Sequence, residues 1–139
     1  MDGRTGLALG MGMLVAGCYP YGAETKSISG PYKMVAIDTA EQSEVAYDLG
    51  HGSSIGRVPP TVFAVGYNRD YIVAARHPTS YIDQPDRSKT EYYYIIRAKD
   101  GPYVDPSVTV RGPFNASGFA AETGRLHLPT LKDEIASLK

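Results

Sequence analysis

Tryptophan is absent from this chain, cysteine occurs once, and charge of either sign is sparse. The 14 basic and 15 acidic residues leave a net charge of -1, which makes no electrostatic case for nucleic acid or an anionic surface. A single cysteine cannot close an internal disulfide. At 139 residues the chain does not need one, because folding at this size buries roughly two-thirds of the unfolded surface. The length suits one domain and is short for two. What is plentiful is glycine (15), proline (10) and tyrosine (11), a balance that favours short strands joined by turns over a helical bundle.

The N-terminus departs from that pattern. Arg4 is followed by an uncharged run from Thr5 to Gly17 that contains Leu7, Leu9, Met11, Met13, Leu14 and Val15. A helix needs ~20 residues to cross ~30 Å of hydrocarbon, so this run is too short to span. It has the length of a signal-peptide core. It ends in Leu14-Val15-Ala16-Gly17-Cys18, which resembles the bacterial lipobox. Ala16 and Gly17 let a signal peptidase approach the backbone, and the Cys18 thiol accepts the diacylglycerol. Lipidation also accounts for a lone cysteine in an exported protein. The opposing reading is an ordinary buried helix or strand of a cytosolic protein, and Asp2 offsetting Arg4 speaks for it. Gly6, Gly10, Gly12 and Gly17 speak against it, since each costs a helix ~1 kcal/mol relative to alanine.

Residues 1–17 are therefore read as a lipoprotein signal peptide, 18–30 as a tether and 31–139 as a single β-rich domain. Strands are expected at Lys33–Ile37, Glu44–Leu49, Thr61–Tyr67, Tyr71–Arg76, Glu91–Arg97 and Val108–Val110. Asn68-Arg69-Asp70 reads as a tight hairpin with a residue suited to positive φ. Asn115 is placed to cap a helix that Gly124 would end. Thr130 begins a capping box, with Leu131, Ile135 and Leu138 on one helical face. The expected class is α+β, mainly β: an antiparallel meander of about five strands with short C-terminal helices packed on one face. A closed small barrel is the alternative, and strand register is not legible.

Few residues form a catalytic pattern. Gly50-His51-Gly52-Ser53-Ser54-Ile55-Gly56-Arg57 resembles a phosphate loop only in glycine content, since Val58-Pro59-Pro60 cannot open a normal helix and no lysine is placed. As a nucleophile elbow it is one residue out of register. It reads as a flexible surface loop with His51 and Ser53 as candidate ligand contacts. His51, His77 and His127 lack the spacing of a zinc site, so neither a metal nor a cofactor is expected. Ser53, His77 and Asp70 make a triad only on paper. Glu41/Glu44, Asp83/Asp86 and Asp133/Glu134 read as solvated charges. On a strand, Tyr92 and Tyr94 face opposite to Tyr93, so the three are candidates to present a ring for sugar or protein binding. Cross-strand packing is the plainer account.

The chain resembles short bacterial lipoproteins grouped as domains of unknown function. The resemblance rests on the lipobox at Cys18, Tyr71-Ile72-Val73-Ala74, Tyr93-Tyr94-Ile95-Ile96, and Gly112-Pro113-Phe114 leading to Phe119, Leu126 and Leu128. It implies location and fold and carries no activity. The expected protein is a lipid-anchored envelope lipoprotein with a non-enzymatic binding or scaffold role. Its expected partners are the membrane, through the anchor, and an envelope protein or the cell wall, with no nucleic acid. Tyr19 is not the aspartate of inner-membrane retention, which allows outer-membrane sorting in a two-membrane host. The alternative is a small periplasmic or cell-wall hydrolase using the Gly50–Arg57 loop. A third reading is a partner-binding module using a free sheet edge.

Overall fold

The computed structural model describes residues 24–81 and 84–139. The signal segment, Cys18 and the first part of the tether lie outside the described residues, as does Asp83. Strands β1 (Glu24–Ser29), β2 (Tyr32–Ala36), β3 (Glu44–Gly50) and β4 (Ser53–Val58) form an antiparallel sheet in that order. A second sheet combines β5 (Val62–Tyr67), β6 (Tyr71–Arg76), β9 (Glu91–Ile96), β10 (Val110–Phe114) and β11 (Lys132–Asp133) in the order β10-β9-β6-β5-β11. Between β6 and β9, β7 (Thr79–Tyr81) and β8 (Gln84–Pro85) make a small hairpin. Helix α1 (Pro106–Thr109) precedes β10, and α2 (Ala116–Leu126) follows it. The class is α+β, mainly β and antiparallel, as the composition implies. Both main sheets are open, so the closed barrel is not adopted.

The two sheets pack face to face. Tyr32, Met34, Val45 and Val58 of the first meet Val62, Val65, Ile72, Ala74, Tyr93 and Ile95 of the second in one core. The far face of the second sheet is covered as well. Val73 and Tyr94 pack on Phe119 and Leu128, while Phe63, Ala64 and Ala75 pack on Leu138. The second sheet is thus a middle layer buried on both faces, which is why β5 and β6 read as continuous apolar runs without alternation. Ile72, Val73, Ala74 and Ala75 are all at most 1% exposed.

Several local expectations change for physical reasons. Residues 24–29, expected in the tether, form edge strand β1, paired to β2 with Ile28 packed against the core. The Gly50–Arg57 loop is strand β4 and the turn before it, hydrogen-bonded to β3. The hairpin at Asn68 uses no left-handed residue; the Asn68 side chain accepts from the Asp70 and Tyr71 amides at 2.9 and 2.8 Å. Helix α2 runs through Gly124 and ends at His127, which takes the left-handed conformation (φ 56). Leu126 packing and the Glu122–Arg125 pair sustain that extra turn. Asp105 caps α1, so the strand expected at Val108 starts at Val110.

The last expected helix does not form. Lys132 and Asp133 pair with Val65 and Ala64, and the Glu134 and Ile135 amides donate to the Phe63 carbonyl. The open edge of β5 supplies hydrogen-bond partners that a short isolated helix cannot match. Leu138 is buried in a single turn of 3-10 helix instead. Gly66 makes this possible, because a Cβ there would collide with the Thr130 carbonyl. Gly66→Ala is expected to lose about 1–3 kcal/mol, read as a lower urea midpoint together with faster amide exchange over residues 130–135.

Candidate functional site

The β3–β4 hairpin carries the residues most exposed to a functional reading. Its turn, Gly50-His51-Gly52, has three successive positive φ angles (82, 53 and 78°). Glycine adopts that region freely and His51 does not. The turn is held by Asp48, whose carboxylate accepts from the Gly50 amide at 2.8 Å. That bond, followed by Lys33, holds the Asp48 carboxyl below the usual range. His51 and Ser53 are both solvent-exposed on this turn.

His77 is elsewhere. It lies beyond β6, pairs through its backbone with Thr61, and is 3% exposed. Its ring stacks on Phe63 at 4.4 Å, and Nδ1 donates to the Lys89 carbonyl at 2.7 Å. Nε2 is buried without a partner among the described residues. Strand β4 itself, at about 3.3 Å per residue, separates Ser53 from the end of the sandwich where Thr61 and His77 pair. His77 is therefore kept apart from Ser53, and among the described residues no hydrogen bond joins His51 to Ser53 on their shared turn. A nucleophile and its base need hydrogen-bond contact.

The tyrosines are used in packing. Tyr93 faces the inter-sheet core beneath Arg76, 5.7 Å from its ring centroid. Tyr92 stacks on Phe119 and Tyr94 on Phe114, and the Tyr94 hydroxyl donates to Glu122 at 2.7 Å. The sheet is covered on both faces, so the exposed ring expected from strand alternation is occupied by the protein's own layers.

Sequence reasoning missed Arg57 and Asp100, whose side chains are both fully buried. Arg57 Nε donates to both Asp100 oxygens at 3.2 and 3.0 Å, and Nη2 donates to the Gly101 carbonyl at 2.7 Å. The Tyr32 hydroxyl donates to Asp100 Oδ2 at 2.8 Å and Thr109 Oγ1 to Oδ1 at 3.2 Å. Arg57 lies over the Tyr47 ring, and Tyr47 meets Tyr32 edge-on. Nearby, Arg97 covers Tyr32 and donates to Ser29 Oγ and the Asn68 carbonyl. The one available sequence signal was an arginine between apolar residues of a strand. The partner, 43 positions away, left none.

A second feature is a cleft between β1 and the β5–β11 edge. Lys26, Ile28, Met34, Tyr67, Thr130 and Lys132 line a cavity of ≈ 390 Å³. Lys26 pairs with Glu134 across it. Among the described residues no cluster of histidine, cysteine or acidic side chains has the form of a metal site.

These features define a class: a layered, mainly β antiparallel domain whose sheets are joined by a buried ionic network. Residues 29–133 match the family described as protein of unknown function (DUF3997). The match covers most of the chain, and the chain belongs to that family. No curated protein and no solved structure matches it.

The network has two measurable consequences. Arg57→Met strands the Asp100 carboxylate in the interior and is expected to cost about 3–5 kcal/mol, measured by urea unfolding. The Tyr32 hydroxyl is held well above its ordinary value of 10.0, first by burial and then by its bond to Asp100. Burial also raises Tyr93 and Tyr94. These groups ionise less readily folded than unfolded, so their stability contribution is complete below about pH 10 and declines as pH rises above it. Urea midpoints from about pH 8 to 11 should fall on the alkaline side, and less steeply in Tyr32→Phe.

Proposed function

We propose that this protein is a bacterial envelope lipoprotein, anchored through a lipid on Cys18, whose β domain is a non-enzymatic binding or scaffold module. The observation that carries the reading is Leu14-Val15-Ala16-Gly17-Cys18, with the chain's lone cysteine at the lipobox position. This segment precedes both the first strand among the described residues, at Glu24, and the family match from residue 29. The short stretch between Cys18 and Glu24 would act as the link to the membrane. A host with two membranes would sort the protein outward, given Tyr19 after the cysteine.

The binding role is supported by how the candidate catalytic side chains are spent. His51 shapes a turn, His77 is sealed against Phe63, and Tyr92, Tyr93 and Tyr94 pack within the protein's own layers. Exposed sheet edges and the β1–β11 cleft are the surfaces left to a partner. The test is the intact mass of the protein extracted from host membranes. The expected N-terminus is Cys18 carrying diacylglycerol, with Cys18→Ser moving the protein to the soluble fraction. Retention of Met1 together with a free Cys18 thiol would overturn the anchor.

A further inference from the structure

The sheet edges of this molecule are not alike. An edge strand displays unpaired N–H and C=O groups, and proteins shield it with charge, proline, irregular register or shortness. β1 carries Lys26, paired to Glu134, and its register shifts between Ser27 and Ser29. β10 carries Arg111 and Pro113, and its register shifts between Arg111 and Phe114. β11 is two residues long. β4 is different. Ser53-Ser54-Ile55-Gly56 is uncharged, free of proline and exposed. Its regular stretch, Ser54 to Gly56, pairs in step with Asp48 to Ala46, and the register shifts lie at its two ends.

The two faces beside this strip differ in chemistry. On the outer face, the Glu44 carboxylate lies over Gly56, with Oε2 3.3 Å from where a Cβ would stand. A side chain at this position would crowd that approach, and glycine leaves it open. Glu44 also lines a hollow of ≈ 410 Å³ with Asp38, Glu41, Ile37 and Pro60. None of the three carboxylates has a cationic partner among the described residues. On the inner face, Ile55 and Leu49 remain 38% and 37% exposed.

We propose that the β4 edge accepts an extended segment of a protein partner as an added strand, with an arginine or lysine set against Glu44 and apolar residues beside Ile55 and Leu49. Main-chain hydrogen bonds to Ser53–Gly56 supply the attachment. The period of two along a strand makes the recognised pattern an alternation of basic and apolar residues. This partner class rests on the binding role proposed for the β domain and is independent of the lipid, so anchor loss and loss of partner binding are separate results.

The probe is a capped peptide of about six residues alternating valine with arginine, tested on the full chain carrying Cys18→Ser. Its counterpart alternates valine with glutamate. Only the arginine peptide is expected to bind, measured by fluorescence anisotropy, and it should slow amide exchange at Ser53–Gly56. Glu44→Gln is expected to weaken it about tenfold, the scale of one charge-assisted hydrogen bond. Ile55→Lys, checked for folding by circular dichroism, places a charge on the edge and should weaken it further, while Thr25→Lys on β1 should not. Equal binding of the two peptides, indifference to Glu44→Gln, or protection at another edge overturns the proposal. So does a β4-mediated dimer that the arginine peptide fails to dissociate.

Discussion

The Arg57–Asp100 pair is the contact on which the arrangement of the molecule turns. Two charges with no solvent exposure cost several kcal/mol each in desolvation, and they are tolerable only when every donor and acceptor is met. Here they are met by groups from distant parts of the chain: the Tyr32 hydroxyl from the first sheet, Thr109 from the single-turn helix, and the Gly101 carbonyl from the loop after β9. The network therefore ties β4 of one sheet to the connection that leaves β9 of the other. Moving either sheet would expose or orphan a charge, so their relative placement is held by polar geometry as well as by apolar burial.

The same tie organises the chain beyond β9. Holding residues 100–109 against Arg57 sets the start of β10, and β10 delivers the chain to α2 on the far side of the middle sheet. Tyr94 reaches α2 through Glu122, and Phe114, Phe119 and Leu128 close that layer. The Glu122 carboxyl is held below the usual range by Arg125 and then by Tyr94. The interior is thus occupied by structural contacts, and edges and clefts are the features the described residues present outward. Of these, the β4 strip is the one whose sequence does nothing to discourage pairing.

Strand identity was largely legible because it is a local property. Val45-Ala46-Tyr47, Tyr71-Ile72-Val73 and Tyr92-Tyr93-Tyr94-Ile95 carry side chains that suit a pleated surface, and the strands stand where they were expected. Errors cluster where a non-local partner decides. β1 and β4 are polar segments that look like linker until β2 and β3 supply hydrogen bonds. Leu131, Ile135 and Leu138 carry a helical spacing that the vacant edge of β5 overrides. Alternation along Tyr92 to Tyr94 points to an exposed ring, because nothing local announces that a sheet will be covered twice.

The amino-acid sequence by itself determined the antiparallel, mainly β class, the existence of most strands, the capped helix at Asn115, and a lone cysteine in a lipobox-like setting. Each rests on neighbours within a few positions along the chain. Only the tertiary structure decided the division into two sheets, the burial of Arg57 against Asp100, the sealing of His77, and which edge was left bare. These depend on contacts between residues tens of positions apart, where pairing energies and desolvation are settled by the whole packed chain and leave no local spacing to read.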